Sequence, residues 1–92
     1  MDKYNELSEK LSRAIKVINN IKPKSNQTEE FLSKFKEYIR GIKENTENKS
    51  LMPSNGALMG LLRWLSDFSE LEECDDLWNI INEIEDYYCK NF

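Results

Sequence analysis

The sequence predicts an all-α protein, a compact antiparallel bundle of about four helices in one domain covering residues 1–92. Three observations carry that expectation. Apolar residues recur at three- and four-residue steps in four stretches, which is the period of one buried helix face. Polar or Pro/Gly-bearing breaks separate the stretches, and no stretch alternates in the manner of a strand. A chain of 92 residues is also too short to enclose more than one modest core.

The first element spans residues 3–21, with Tyr4, Leu7, Leu11, Ala14, Ile15, Ile18 and Ile21 on one face. Pro23 and the polar run KPKSNQ end it. The second spans 28–44, with Thr28 as the expected cap of a first turn that carries Glu29 and Glu30. Its stripe is Phe31, Leu32, Phe35, Tyr38, Ile39 and Ile42, and it stops in ENTENKS. The third spans 54–69, introduced by MPSNG with Ser54 as the expected cap, and lays Leu58, Leu61, Leu62, Leu65 and Phe68 on one face. Gly56 and Gly60 stack four residues apart on its other face. That arrangement suits close packing, either inside the bundle or against a partner, since glycine costs a helix about 1 kcal/mol relative to alanine. The fourth spans 74–90, with Leu77, Ile81, Ile84 and Tyr88 central and Trp78, Ile80 and Tyr87 flanking. Four antiparallel helices, or three with a fourth laid across them, satisfy this pattern equally.

Charge is placed unevenly. The whole chain carries −4, yet residues 1–63 sum to +4 and residues 64–92 to −8. The stretch from Trp64 to Cys89 holds nine carboxylates, no Lys and no Arg. At about 100° per residue, Asp75, Asp76, Glu83 and Asp86 fall opposite the core stripe of the fourth element. Asp67 points away from the core at the end of the third, and Glu70, Glu72 and Glu73 occupy the connecting turn. One acidic ridge is expected, with Trp64 and Trp78 at its flanks as boundary packing or as anchors. A solvated helix face accounts for the early acids, which favour the N-terminal helix dipole. It does not account for the missing lysines, and a one-signed patch commonly steers a partner of opposite charge.

Several function classes are disfavoured by composition. There is no histidine, and neither a nucleophile–base pair nor a phosphate-cradling glycine loop can be assembled, so no catalytic residues are assigned. EECDD lacks the alternating ligands and glycine of a calcium loop, so neither a metal site nor a cofactor is expected. Cys74 and Cys89, on one helix, lie roughly 22 Å apart, too far for a bridge. The basic residues near KPKSNQ are interleaved with glutamates, which argues against direct nucleic-acid binding. The acids argue against an anionic membrane surface, and no run is long enough to span one. The polar opening MDKYNELSEK reads as neither a signal nor a transit peptide, and a cytoplasmic protein is expected.

The segment SNGALMGLLRWLSDFSELEECDDLWNIINEIEDYY, residues 54–88, carries a resemblance. A glycine-containing helix leads into Arg-Trp-Leu-Ser-Asp-Phe, then an acidic turn, then an Asp-Leu-Trp helix that ends in Asp-Tyr-Tyr. It resembles the small helical immunity proteins encoded beside bacterial polymorphic toxins, including those of contact-dependent growth inhibition. The resemblance implies a partner, a cognate toxin domain such as a basic nuclease, whose active site or substrate groove is covered. The expected contact surface is Asp67, Glu70, Glu72, Glu73, Asp75, Asp76, Glu83 and Asp86, with Trp78 and Tyr87 as anchors. Two other readings fit the same acids: a phage-encoded nucleic-acid mimic that disarms a defence nuclease, and a non-catalytic helical adaptor.

Overall fold

The computed structural model describes residues 2–54, 60–68 and 71–92, and among them the secondary structure is helical throughout, with no strand. Helix α1, Lys3–Asn20, starts at Asp2, whose side chain accepts a hydrogen bond from the Tyr4 N–H at 3.0 Å. That bond satisfies one of the donors a helix start leaves unpaired. Ile21 is extended and closes the helix two residues before Pro23.

Helix α2, Asn26–Glu47, starts earlier than the expected cap at Thr28. Ser25 is the cap instead: its backbone is extended and its hydroxyl accepts from the Thr28 N–H at 3.2 Å. Thr28 is thereby inside the first turn and buried. The helix also runs beyond residue 44. The buried Thr46 hydroxyl donates to the Ile42 carbonyl at 2.7 Å, and Lys43 pairs with Glu47 at 3.1 Å. Two bonds then close the end, from the Ser50 N–H to the Asn45 carbonyl and from the Lys49 N–H to the Thr46 carbonyl. This closure places Lys49 at φ +57°, a left-handed position that normally falls to glycine.

The third element departs furthest from expectation. Helix α3 is Leu61–Ser66, six residues in place of the anticipated 54–69. Gly60 has φ +90°, so no helix passes through it, and it forms the N-terminal boundary of α3. The stacked pair Gly56/Gly60 is therefore not a helical feature at Gly60, and Gly56 and Leu58 lie outside the described residues. Ser54 lies on non-helical backbone, and its hydroxyl donates to the Cys89 carbonyl at 3.2 Å, tying the linker to the last helix. Helix α4, Asp75–Asn91, follows a turn in which Leu71 is buried, and carries Asp75 and Asp76 in its first turn.

The three long helices pack antiparallel with α1 between α2 and α4. Ser8 meets Glu47 while Asn19 meets Lys36, and Lys3 meets Asn91 while Arg13 meets Glu83. Leu7, Leu11, Ala14 and Ile18 of α1 are buried by both neighbours, against Leu32, Phe35 and Ile39 on one side and Leu77, Ile81 and Ile84 on the other. The short α3 packs on α4 through buried Leu61 and Leu65. Trp64 joins it to α2, meeting Phe35 edge-on at 5.4 Å and Tyr38 at 5.3 Å, while Phe31 stacks on Phe68 at 4.5 Å. At the opposite end of the bundle Phe92 packs on Tyr4 and Tyr88, and the Tyr88 hydroxyl donates to the Met52 carbonyl at 2.8 Å.

Truncating the shared stripe should be the most damaging change. Leu11→Ala is expected to cost about 2–5 kcal/mol in urea unfolding, through lost burial and an unfilled cavity. The two left-handed positions should respond with opposite signs. Lys49→Gly is expected to stabilise by about 0.5–1 kcal/mol, because glycine occupies φ > 0 without the clash a Cβ brings. Gly60→Ala should destabilise by about 1–2 kcal/mol even though an added Cβ meets no atom within 4 Å, because the cost is conformational.

Candidate partner-binding surface

The acidic residues enter the structure by three routes. Asp67 terminates α3, Glu72 and Glu73 lie in the turn, and Asp75 and Asp76 open α4. All five are exposed and none forms an ion pair. Glu73, Asp75 and Asp76 line one groove, and Asp67 and Glu72 precede them in the chain between α3 and α4, so the five mark an acidic corner between the two helices. Glu70, expected in the same turn, lies outside the described residues.

Further along α4 the picture changes. Glu83 accepts from the Arg13 guanidinium at 3.1 Å and lies 3.7 Å from the Lys10 ammonium. It belongs to the seam between α1 and α4 rather than to an isolated acidic face. Asp86 pairs with Lys90 one turn on, at 3.2 Å. Glu85 is 1% exposed and points inward among the buried residues of α4, so it adds nothing to the surface. In place of the expected continuous ridge, Asp67, Glu72, Glu73, Asp75 and Asp76 have no ion pair, and the exposed acids Glu83 and Asp86 that follow have partners of their own. Of the exposed acids among the described residues, those outside that corner without an ion pair are Glu9, Glu29 and Glu44, all on the first two helices. Helix packing makes the division: the bases of α1 reach α4 at residue 83, and no base of α1 pairs at 75 or 76.

Both expected anchors have structural duties. Trp78 is half-buried, and its indole Nε1–H donates to the Leu71 carbonyl at 3.1 Å, clamping the turn that carries Glu72 and Glu73 onto α4. Trp64 is absorbed into the aromatic cluster on α2. Tyr87 is half-buried, with the Lys10 ammonium 5.3 Å from its ring centre and Phe92 at 6.5 Å. Burial raises the Tyr87 pKa, and the nearby Glu6 and Asp2 carboxylates add to the rise. Its hydroxyl thus stays neutral through the physiological range.

A groove of about 450 Å³ adjoins the acidic corner, between the last turn of α1 and the first of α4. Val17 and Ile21 contribute apolar surface to it and Glu73, Asp75 and Asp76 contribute carboxylates, while Leu77 beneath them is wholly buried. A second hollow of about 450 Å³ lies at the other end of the bundle, beside the exposed Tyr38 and Met52. Cys74 and Cys89 form no disulfide, and each is half-buried. Among the described residues no group of three or more Cys, Asp or Glu is arranged to hold a metal ion, and no helix is long and apolar enough to cross a membrane.

Trp78→Phe keeps the ring packing but removes the bond to Leu71. It should cost about 1–2 kcal/mol in denaturant unfolding, because the Leu71 carbonyl loses its indole donor. Arg13→Ala, which breaks a pair whose side chains are 61% and 44% exposed, should change stability by no more than about 1 kcal/mol. Comparison with protein-family models, with curated proteins and with solved structures finds no match to the chain.

Proposed function

We propose that this chain is a non-catalytic immunity protein, which binds and neutralises a cognate bacterial toxin domain bearing a basic surface. The observation that carries the reading is the corner formed by Asp67, Glu72, Glu73, Asp75 and Asp76, five exposed carboxylates with no ion pair. Concentrating like charge destabilises a small fold, and its compensation is electrostatic attraction of an oppositely charged partner. The resemblance of residues 54–88 to immunity proteins supports a toxin domain as that partner. The charge is also local. An imitation of a nucleic-acid backbone calls for negative charge along a length, whereas here the acids beyond residue 76 are met by Lys10, Arg13 and Lys90. A confined corner suits the basic active-site rim of a protein better than the role of a polyanion.

Co-expression with the product of the neighbouring gene tests the reading. A stable complex and protection from toxicity are expected, and the absence of both contradicts it. Within such a complex, Asp75→Lys with Asp76→Lys should slow association at low salt by at least about tenfold. Glu83→Lys should have a clearly smaller effect, because Glu83 is already neutralised by α1.

A further inference from the structure

Gly41 stands in the interior of α2, where glycine is the least favourable residue after proline. Among the described residues no atom comes within 4 Å of a Cβ added there, so the bundle itself does not call for a bare backbone at this point. A close approach from outside the chain does call for one. The surroundings form a socket. Tyr38, Gly41, Ile42 and Asn45 occupy i, i+3, i+4 and i+7, the four positions that frame a hole for a side chain of a facing helix. They line the hollow of about 450 Å³ whose rim carries Tyr38, 44% exposed, and Met52, 76% exposed. The Tyr88 hydroxyl holds the Met52 carbonyl, and Trp64 meets the Tyr38 ring edge-on, so both apolar side chains project from anchored positions.

Charge identifies what fits this face. At about 100° per residue Lys34, Glu37, Tyr38, Gly41, Glu44 and Asn45 share one side of α2, and all six are exposed. Glu37 is paired with Arg40, Glu44 has no ion pair, and Lys34 pairs only with the exposed Glu30 one turn away. A second copy laid antiparallel, with a twofold axis between residues 38 and 41, brings Tyr38 of each copy over Gly41 of the other. In that register Lys34 lies within about 1.5 Å, along the helix axis, of Glu44 of the other copy. Ring meets gap and cation meets anion, twice over, from a single surface. The segment 64–92, at −8, has no such match with itself.

We propose that the chain self-associates through this face of α2, as an antiparallel twofold dimer in which Tyr38 fills the space over Gly41 and Met52 closes the flank. Both copies keep Glu73, Asp75 and Asp76 exposed, because these line the groove between α1 and α4. A contact three turns of one helix long falls short of the roughly 800 Å² per partner of a standard interface, so the dimer is weak, with Kd of about 10–300 µM.

Sedimentation equilibrium on the full chain, from about 10 µM to about 1 mM, should show the mass rising from one copy towards two. Amide shifts that track concentration should gather at residues 34–45 and at Met52. Gly41→Gln separates association from folding. It should raise the melting temperature, because a better helix former enters open space, yet weaken association at least about tenfold. Lys34→Glu and Glu44→Lys should each weaken it about threefold, and the two together should restore it to within about twofold. A chain that stays monomeric at about 1 mM overturns the inference. So does association that Gly41→Gln leaves unchanged, or concentration-dependent shifts that gather at residues 71–76 instead. Single charge changes that the double variant fails to restore overturn it as well, since the antiparallel register requires Lys34 and Glu44 to meet across the axis.

Discussion

The structure depends on one helix being buried from two sides. Leu7, Leu11 and Ala14 of α1 are wholly inaccessible, and Ile18 is 4% exposed, because α2 and α4 both close over the same stripe. Neither outer helix has a comparable second neighbour, and α3 is too short to provide one. Removing burial from α1 therefore loosens the two most extensive interfaces at once, whereas α2 and α4 each take part in one of them. Isolated helices of this length are marginal in water, so their persistence here comes from tertiary packing on α1.

The same helix decides how charge is displayed. Its antiparallel register against α4 brings Lys10 and Arg13 to Glu83. Asn19, Asn20 and Ile21 then bring α1 to its end beside the start of α4, where Lys22 and Lys24 share a hollow with Glu73 but form no ion pair with it. The first turn of α4 keeps its aspartates, which suit the positive end of the helix dipole, and the neighbouring turn keeps Glu72 and Glu73. The Trp78 indole holds that turn in place through the Leu71 carbonyl. A tryptophan that reads as a binding anchor in the sequence thus serves as the brace under the acidic corner, and the apolar end of α1 becomes a wall of the groove beside it.

How much of this was legible in the sequence follows from which interactions are local. The stripes of α1, α2 and α4 are periodic over many turns, so their buried faces could be read directly, Leu77, Ile81 and Ile84 among them. The cap of α2 could not be. Ser25 and Thr28 both carry hydroxyls, and the choice rests on which residue adopts extended backbone. Gly60 misled for a related reason, since glycine inside an apolar pattern is compatible with a close-packed helix and with a left-handed break. The ion pair of Glu83 and the burial of Glu85 rest on longer-range information. Pairing of Glu83 with α1 requires the register of two helices 70 residues apart in sequence, and the burial of Glu85 requires knowing how far the core wraps around α4. The exposed acids Asp67, Glu72, Glu73, Asp75 and Asp76 were legible because no distant base forms an ion pair with them.

The central claim is that this corner, with the groove at the end of α1, is the surface that meets the partner. Hydrogen exchange on the complex with the neighbouring gene's product addresses it most directly, since amides covered by a partner exchange more slowly without any substitution in the chain. Slowed exchange at residues 72–80 and at the last turn of α1, with the outer face of α2 unchanged, is the expected result. Protection confined to α2, or to the hollow around Tyr38 and Met52, would place the interface at the other end of the bundle and contradict the account.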